Sequence, residues 1–199
     1  MEGFDLKCEL ATYYLSPITG TIEYCKALNL FITSDEEITS VNGRTEPTSF
    51  TGFWIQEQTA HYLPKGIDKF FPNLLTIAVR ISSLKSVTQD DLKPFTQFFR
   101  VDFKDNDLES LEGDLFKFNP TLQEVSFDEN KLHYIGEHLL DNLKNLQLIE
   151  FQSNPCINFK ATTSSEIATL IQKIKTQCEW PQDLMVIKSV TYWYGSQMR

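Results

Sequence analysis

No long apolar run is present. Short runs such as Phe70-Phe71, and the longest, Leu184 to Ile187, fall far short of the roughly 20 residues a spanning helix needs. The start, Met1-Glu2-Gly3-Phe4-Asp5, lacks the basic segment and apolar stretch of a signal peptide. Gly and Pro number only eight each in 199 residues, which excludes a collagen-like or low-complexity chain. Basic residues are outnumbered, 18 Lys plus Arg against 27 Asp plus Glu, for a formal charge of −9. A general nucleic-acid binder needs a basic face to neutralise phosphates, so the charge argues against that class. Four cysteines are too few for a disulfide-dense mini-scaffold, though enough for two bridges. The only near-match to a glycosylation site, Asn119-Pro120-Thr121, fails on its proline.

Catalytic signatures are missing as well. There is no Gly-rich phosphate loop, no G-x-S-x-G and no H-E-x-x-H. His61, His133 and His138 are scattered, and no C-x-x-C or His/Cys cluster suggests zinc or redox chemistry. The expectation is a protein that is not an enzyme and uses no cofactor and no metal.

What is present is a core and a repeat. Apolar residues make up 41% and aromatics 13% of the chain, enough for one packed domain. The segment Phe98-x-x-Val101-x-Phe103-x-x-Asn106-x-Leu108-x-x-Leu111 recurs as Leu122-x-x-Val125-x-Phe127-x-x-Asn130-x-Leu132-x-x-Ile135. It recurs again as Leu146-x-x-Ile149-x-Phe151-x-x-Asn154-x-Cys156. Upstream stand Leu74-x-x-Ile77-x-Val79-x-x-Ser82-x-Leu84 and Phe50-x-x-Phe53-x-Ile55-x-x-Gln58-x-Ala60. Each unit begins 24 residues after the last, with no insertion.

Positions 4 and 6 of the unit lie two apart, so they face one side of a strand. One unit cannot bury those side chains alone, but stacked neighbours can. Their strands then run parallel, about 4.8 Å apart. At position 9 the chain turns, leaving buried backbone groups without sheet partners. An Asn amide donates and accepts, so Asn106, Asn130 and Asn154 can satisfy their own turn and the next. Ser82 and Gln58 depart from this, and the first two units are expected to be less regular. The second half of each unit carries apolar residues three and four apart, such as Ile67 and Phe71, or Leu92 and Phe95. That spacing predicts short helical turns, with Thr88 as a cap before Gln89-Asp90-Asp91.

The unit resembles that of leucine-rich repeat proteins, L-x-x-L-x-L-x-x-N-x-L. Residues 50–156 carry it in five units, about half the chain. Phe-Pro-Asn-Leu at 71–74 and Asn-Pro-x-Leu at 119–122 look like the typical extracellular subclass. The arrangement of the ends is similar to short secreted leucine-rich repeat proteins of insects. The resemblance implies an α/β solenoid, a horseshoe with parallel strands on its concave face, and a role in adhesion, receptor-like or innate-immune recognition.

A solenoid exposes its core at both ends, so terminal segments must cap it. Residues 1–49 read as the N-terminal cap and 157–178 as the C-terminal cap. Cys8 and Cys25 precede the repeats, and Cys156 and Cys178 close them. This placement suggests the bridges Cys8–Cys25 and Cys156–Cys178. The other two pairings join opposite ends, beyond the roughly 7 Å a bridge allows between Cα atoms. Four reduced thiols in a cytoplasmic protein are the alternative. Paired bridges imply an oxidising, extracellular setting, and so a leader peptide absent from this sequence. Tyr24 to Ile32 reads as a first irregular strand, while 34–37 and 42–48 read as loops. Thr163-Ser164-Ser165-Glu166 is a capping box that opens a helix with Ile167, Leu170, Ile171 and Ile174 on one face. The apolar tail 179–199, with Trp180, Leu184 to Ile187 and Val190 to Tyr194, fits no repeat. A hairpin against the cap, a partner contact and an artefact of the gene model all remain open for it.

Positions 3, 5 and 7 of each strand point away from the core, and position 8 follows. The expected binding residues are Trp54, Arg80, Ile81, Arg100, Asp102, Lys104, Asp105, Glu124, Asp128, Glu129 and Glu150. Acids dominate the last three units, so one reading is a protein or peptide ligand with a basic patch, docked beside Trp54. The other reading is that the acids only keep the surface soluble and Trp54 packs on the N-terminal cap. For the whole chain, an extracellular recognition module is expected. The alternatives are an intracellular adaptor or enzyme regulator, and an inhibitor of a secreted hydrolase.

Overall fold

The computed structural model describes residues 2–16 and 20–179. The expectations for the tail from Trp180 onward therefore lie outside the described residues. The elements run in order as β1 (Glu2–Ser16), β2 (Gly20–Leu28), β3 (Phe31–Ile32), β4 (Glu36–Val41), β5 (Gly52–Gln56), β6 (Thr59–Ala60), α1 (Ile67–Phe70), β7 (Thr76–Arg80) and α2 (Gln89–Leu92). Then come β8 (Arg100–Asp102), β9 (Ser110–Leu111), β10 (Glu124–Ser126), β11 (Tyr134–Ile135), β12 (Leu148–Glu150), β13 (Lys160–Ala161) and α3 (Ser164–Gln177). One nine-stranded sheet has the order β13-β12-β10-β8-β7-β5-β2-β1-β4.

The register is the sequence repeat made physical. Phe53 pairs with Ile77, Ile77 with Val101, Val101 with Val125 and Val125 with Ile149, all in parallel. Positions 4 and 6 are fully buried in every unit, from Phe53 and Ile55 to Ile149 and Phe151. Phe103, Phe127 and Phe151, all at position 6, pack ring to ring at 5.6 and 5.4 Å down the axis. Two ordered helical returns appear, α1 and α2, and Thr88 closes a capping box with Asp91. The returns near Leu115 and Leu139 are turns rather than α-helices. Leu115 and Leu139 are buried all the same, which packing alone demands.

The asparagines form a ladder. Asn106 Oδ1 accepts from Ser82 N at 3.1 Å and Leu84 N at 3.0 Å, and its Nδ2 donates to Val79 O at 2.7 Å and Phe103 O at 3.0 Å. Asn130 and Asn154 repeat the pattern one and two turns on. Gln58 continues the rung, its Oε1 accepting from Leu30 N of the N-terminal cap at 2.9 Å. The extra methylene reaches across a junction whose offset is not 24, since Cys25 pairs with Phe53. Just before the ladder, Glu57, Ile81, Asp105, Glu129 and Ser153 all have left-handed φ of 51–57°. This position-8 kink is what turns the chain off each strand.

The caps differ most from the sequence reading. Strands β1 and β2 pair as a long antiparallel hairpin, with Cys8 opposite Ala27 and Tyr13 opposite Ile22, not one irregular strand beginning at Tyr24. Residues 34–37 are loop only in part, because β4 begins at Glu36 and pairs in parallel with the start of β1. Both pairings are long-range or lack clean alternation, so no local pattern announces them. The bridges Cys8–Cys25 and Cys156–Cys178 are formed, with Cα separations of 5.0 and 5.2 Å. Helix α3 opens on the Thr163 capping box and buries Leu170 and Ile174. The fold is a leucine-rich repeat solenoid with disulfide-closed caps.

Candidate functional site

The concave sheet is not uniform. At its N-terminal end, Gly52 stands at position 3, where a Cβ would lie 2.5 Å from the Tyr24 ring. The missing side chain lets Tyr24, from β2, lie over β5. Its phenol donates to Thr76 Oγ1 at 3.4 Å, and burial pushes its pKa up, so the group is a neutral donor. Tyr13 meets Tyr24 and Trp54 edge-on at 5.8 and 5.3 Å. Lys26 Nζ sits 5.4 Å from the Trp54 ring centre. The Trp54 Nε1–H is buried with no acceptor among the described residues.

Beside these rings stand two guanidiniums. Arg80 donates from Nε to Asp102 Oδ2 at 3.0 Å, and Arg100 donates from Nη2 to the same oxygen at 2.9 Å. Asp102 is 2% exposed. Its carboxylate therefore props both arginines from below. Together Tyr13, Tyr14, Tyr24, Trp54, Gln56, Ala78, Arg80 and Arg100 enclose a pocket of about 310 Å³. This is within the range of a small binding pocket.

The C-terminal half is electrostatically matched. Lys104 Nζ lies 3.0 Å from Glu129 and 3.9 Å from Asp105. Lys160 bonds Glu150 at 2.8 Å, and Arg100 reaches Glu124 at 3.5 Å. Asp128 is buried and accepts from Gln152 N at 2.6 Å. Burial lifts the Asp128 carboxyl above its ordinary range, and burial lifts Asp105 likewise. The Lys104 hydrogen bond holds Glu129 below it.

Set against the expected binding set, two residues sit differently. Asp102 and Asp128 are buried, not solvent-facing acids. Arg80 and Arg100 both bond Asp102, and Asp128 accepts from the Gln152 backbone of the next unit, contacts that a column-by-column reading does not show. Trp54 packs on the N-terminal cap through Tyr13 and Tyr24. Ile81 is exposed as expected, at 52%. Arg80, Arg100, Lys104, Asp105, Glu124, Glu129 and Glu150 lie along the same sheet face or its rim. The sequence reading missed Tyr13, Tyr14 and Tyr24. The one signal for them was Gly52, the smallest residue in a column otherwise filled by Thr76, Arg100, Glu124 and Leu148. Among the described residues no group of three His, Cys, Asp or Glu side chains is arranged to hold a metal ion. No helix among them is long and apolar enough to cross a membrane.

No family model matches this sequence. Its structure is similar to Toll in the Drosophila Toll–Spätzle complex, with 19% identity and a TM-score of 0.52, over 62% of this chain and 17% of that one. The glycosylated form of that complex gives 18% identity and a TM-score of 0.51, over 63% and 18% of the two chains. At this identity the likeness concerns the fold. The chain spans less than a fifth of the length of these solved relatives.

Proposed function

We propose that the protein is a non-catalytic recognition module that binds a protein or peptide ligand on the concave face of the solenoid, in an extracellular setting. The observation that carries this reading is the pocket at Tyr13, Tyr14, Trp54, Arg80 and Arg100. Tyr, Trp and Arg are the residues that dominate binding energy at protein interfaces. Exposed Tyr14 and Ile81 extend the same surface. The fold is shared with a receptor solved in complex with a protein ligand, which agrees with this role. Two bridges that use all four cysteines favour an oxidising compartment over an intracellular adaptor. Asp105, Glu129 and Glu150 outnumber the Lys104 and Lys160 that pair with them, and the remaining negative charge suits a basic group of the ligand at the C-terminal end.

The test is affinity capture from extracellular fluid with three forms of the chain. The variant Tyr14→Ala/Arg80→Gln is expected to lose the captured protein, and Lys144→Glu, on an exposed turn away from the sheet, to keep it. Equal capture by all three forms overturns the concave-face reading. Mass spectrometry of the native protein checks the compartment: four free thiols favour the intracellular alternative.

A further inference from the structure

We propose that the N-terminal pocket of the concave face receives an acidic residue together with a neighbouring apolar one from the ligand. The carboxylate sits on Arg80 and Arg100, and the apolar side chain lies among Tyr13, Tyr24 and Trp54. This rests on the concave-face reading above and adds the chemistry of the contact.

Charge is the first support. The pocket lining contains two guanidiniums and no carboxylate. Asp102, beneath it, neutralises one of the two. Lys26, against Trp54, adds a further positive charge nearby. Glu124, outside the pocket, pairs with Arg100 at 3.5 Å, so the surplus is the single positive charge of Lys26. A basic residue entering here meets like charge, whereas an acidic one meets the surplus.

Donor count is the second. A guanidinium has five N–H donors in a planar fork that matches a carboxylate. Arg80 engages Asp102 through Nε and Nη2. Arg100 engages it through Nη2 and turns Nη1 to Glu124. Arg80 Nη1 and Arg100 Nε have no acceptor among the described residues. Because the buried carboxylate already fixes both side chains, little rotamer entropy is left to lose when a second carboxylate arrives.

Shape is the third. The remaining walls are rings, and about 310 Å³ holds more than a bare carboxylate. An apolar neighbour fills the rest, and the Tyr13, Tyr24 and Trp54 rings offer it edge and face contacts.

The experiment titrates acetyl-Phe-Glu-amide, acetyl-Phe-Gln-amide and acetyl-Phe-Lys-amide into the full chain. The readout is the Trp54 indole N–H resonance, identified by its loss in Trp54→Phe. The Glu peptide is expected to bind saturably and about tenfold more tightly than the Gln peptide, the scale of one charge-assisted hydrogen bond. The Lys peptide is expected to bind most weakly. In Arg100→Gln the Glu and Gln peptides are expected to bind alike. Arg80→Gln serves in the same way should Arg100→Gln fail to fold. Three results overturn the assignment: no saturable binding, a Lys peptide as tight as the Glu peptide, or an acid preference that survives both substitutions. Capture of a protein ligand that depends on Tyr14 alongside any of these three leaves the concave face in place and removes only the acidic anchor.

Discussion

Asp102, on β8, holds Arg80 of the neighbouring strand through a hydrogen bond of 3.0 Å from Nε, while its own strand's Arg100 donates to the same oxygen at 2.9 Å. One carboxylate thus ties two strands and spaces two like charges. Its side chain is 3% exposed, but the arginines are 35% and 24% exposed, so water shares part of the load. Breaking a buried pair costs about 3–5 kcal/mol, and the exposed arginines lower that figure. Asp102→Asn, which keeps the shape and drops the charge, is expected to lower unfolding free energy by about 1–3 kcal/mol. Urea unfolding measures it, and a double-mutant cycle with Arg80→Gln isolates the pair. An unchanged midpoint would mean the arginines stand without their prop.

Ile81 sits at φ 51°, where β-branched residues are genuine outliers. The same kink is filled by Glu57, Asp105, Glu129 and Ser153 in the other units. With 52% of its surface exposed, Ile81 recovers little by burial. Left-handed geometry costs an ordinary residue roughly 1–2 kcal/mol, less for Asn. Ile81→Asn is therefore expected to stabilise the fold by about 1 kcal/mol, and Ile81→Ala to change it little. Thermal unfolding of the two variants decides this. A destabilised Ile81→Asn would show that the isoleucine packs against something in the free protein.

The repeat and the site were legible to different degrees, for a physical reason. A column such as Val101, Val125 and Ile149 is written in the sequence because every unit buries the same position. The ladder asparagines follow from the same periodicity, and the two bridges from the placement of the cysteines at its two ends. The hairpin is different. Its strands pair Tyr14 with Thr21 and Cys8 with Ala27, and neither strand alternates cleanly. The pocket inherits that opacity, because three of its rings come from the hairpin. Asp102 reads as one more acid in a list, and only the sheet reveals that arginines on two strands converge over it. Gln58 reads as a break in the ladder, yet its longer side chain makes the same kind of rung to Leu30.

Two carboxyl groups give opposite pH signatures. Asp5, on β1, accepts from Lys7, from Ser40 Oγ at 2.5 Å and from Gly43 N at 2.8 Å. The Lys7 bond first, then those of Ser40 and Gly43, hold its pKa down at about 2, against 3.8 for the free group. Its stabilising effect is complete above the unfolded value and is lost as pH falls from there through about 2. Asp128 is raised, chiefly by burial, so the folded chain holds its proton more tightly than the unfolded chain. Its contribution to stability therefore declines as pH rises through the window above 3.8. Asp128→Asn keeps an oxygen for Gln152 N and removes the buried charge. It is expected to stabilise at pH 7 and to converge on the wild type near pH 3, while Asp5→Asn destabilises at pH 7 and converges below about pH 2. Urea midpoints across pH 2 to 8 check both signs, and a pH-independent offset for either variant contradicts the assignment.

The C-terminal bridge is expected to matter locally more than globally. Cys178 closes α3, its N–H bonding Ile174 O at 3.0 Å, while its own carbonyl accepts from Ile135 N at 2.9 Å. Through Cys156 the bridge fastens that helix to the last repeat, over a separation of 22 residues. Constraint of a loop of this size is worth about 3 kcal/mol in the chain-entropy account. In a solenoid each unit touches only its neighbours, so losing an end cap loosens that end first. Cys156→Ser/Cys178→Ser is therefore expected to speed hydrogen exchange at Leu170, Ile174 and Ile135, which the cap buries. Backbone amides around Asn106, two repeats inward, should stay protected, because their rungs run to Ser82 and Leu84 rather than to the cap. Uniform loss of protection along the chain would instead mean that the five units and both caps unfold as one cooperative block, and that the bridge stabilises the ladder as much as the helix.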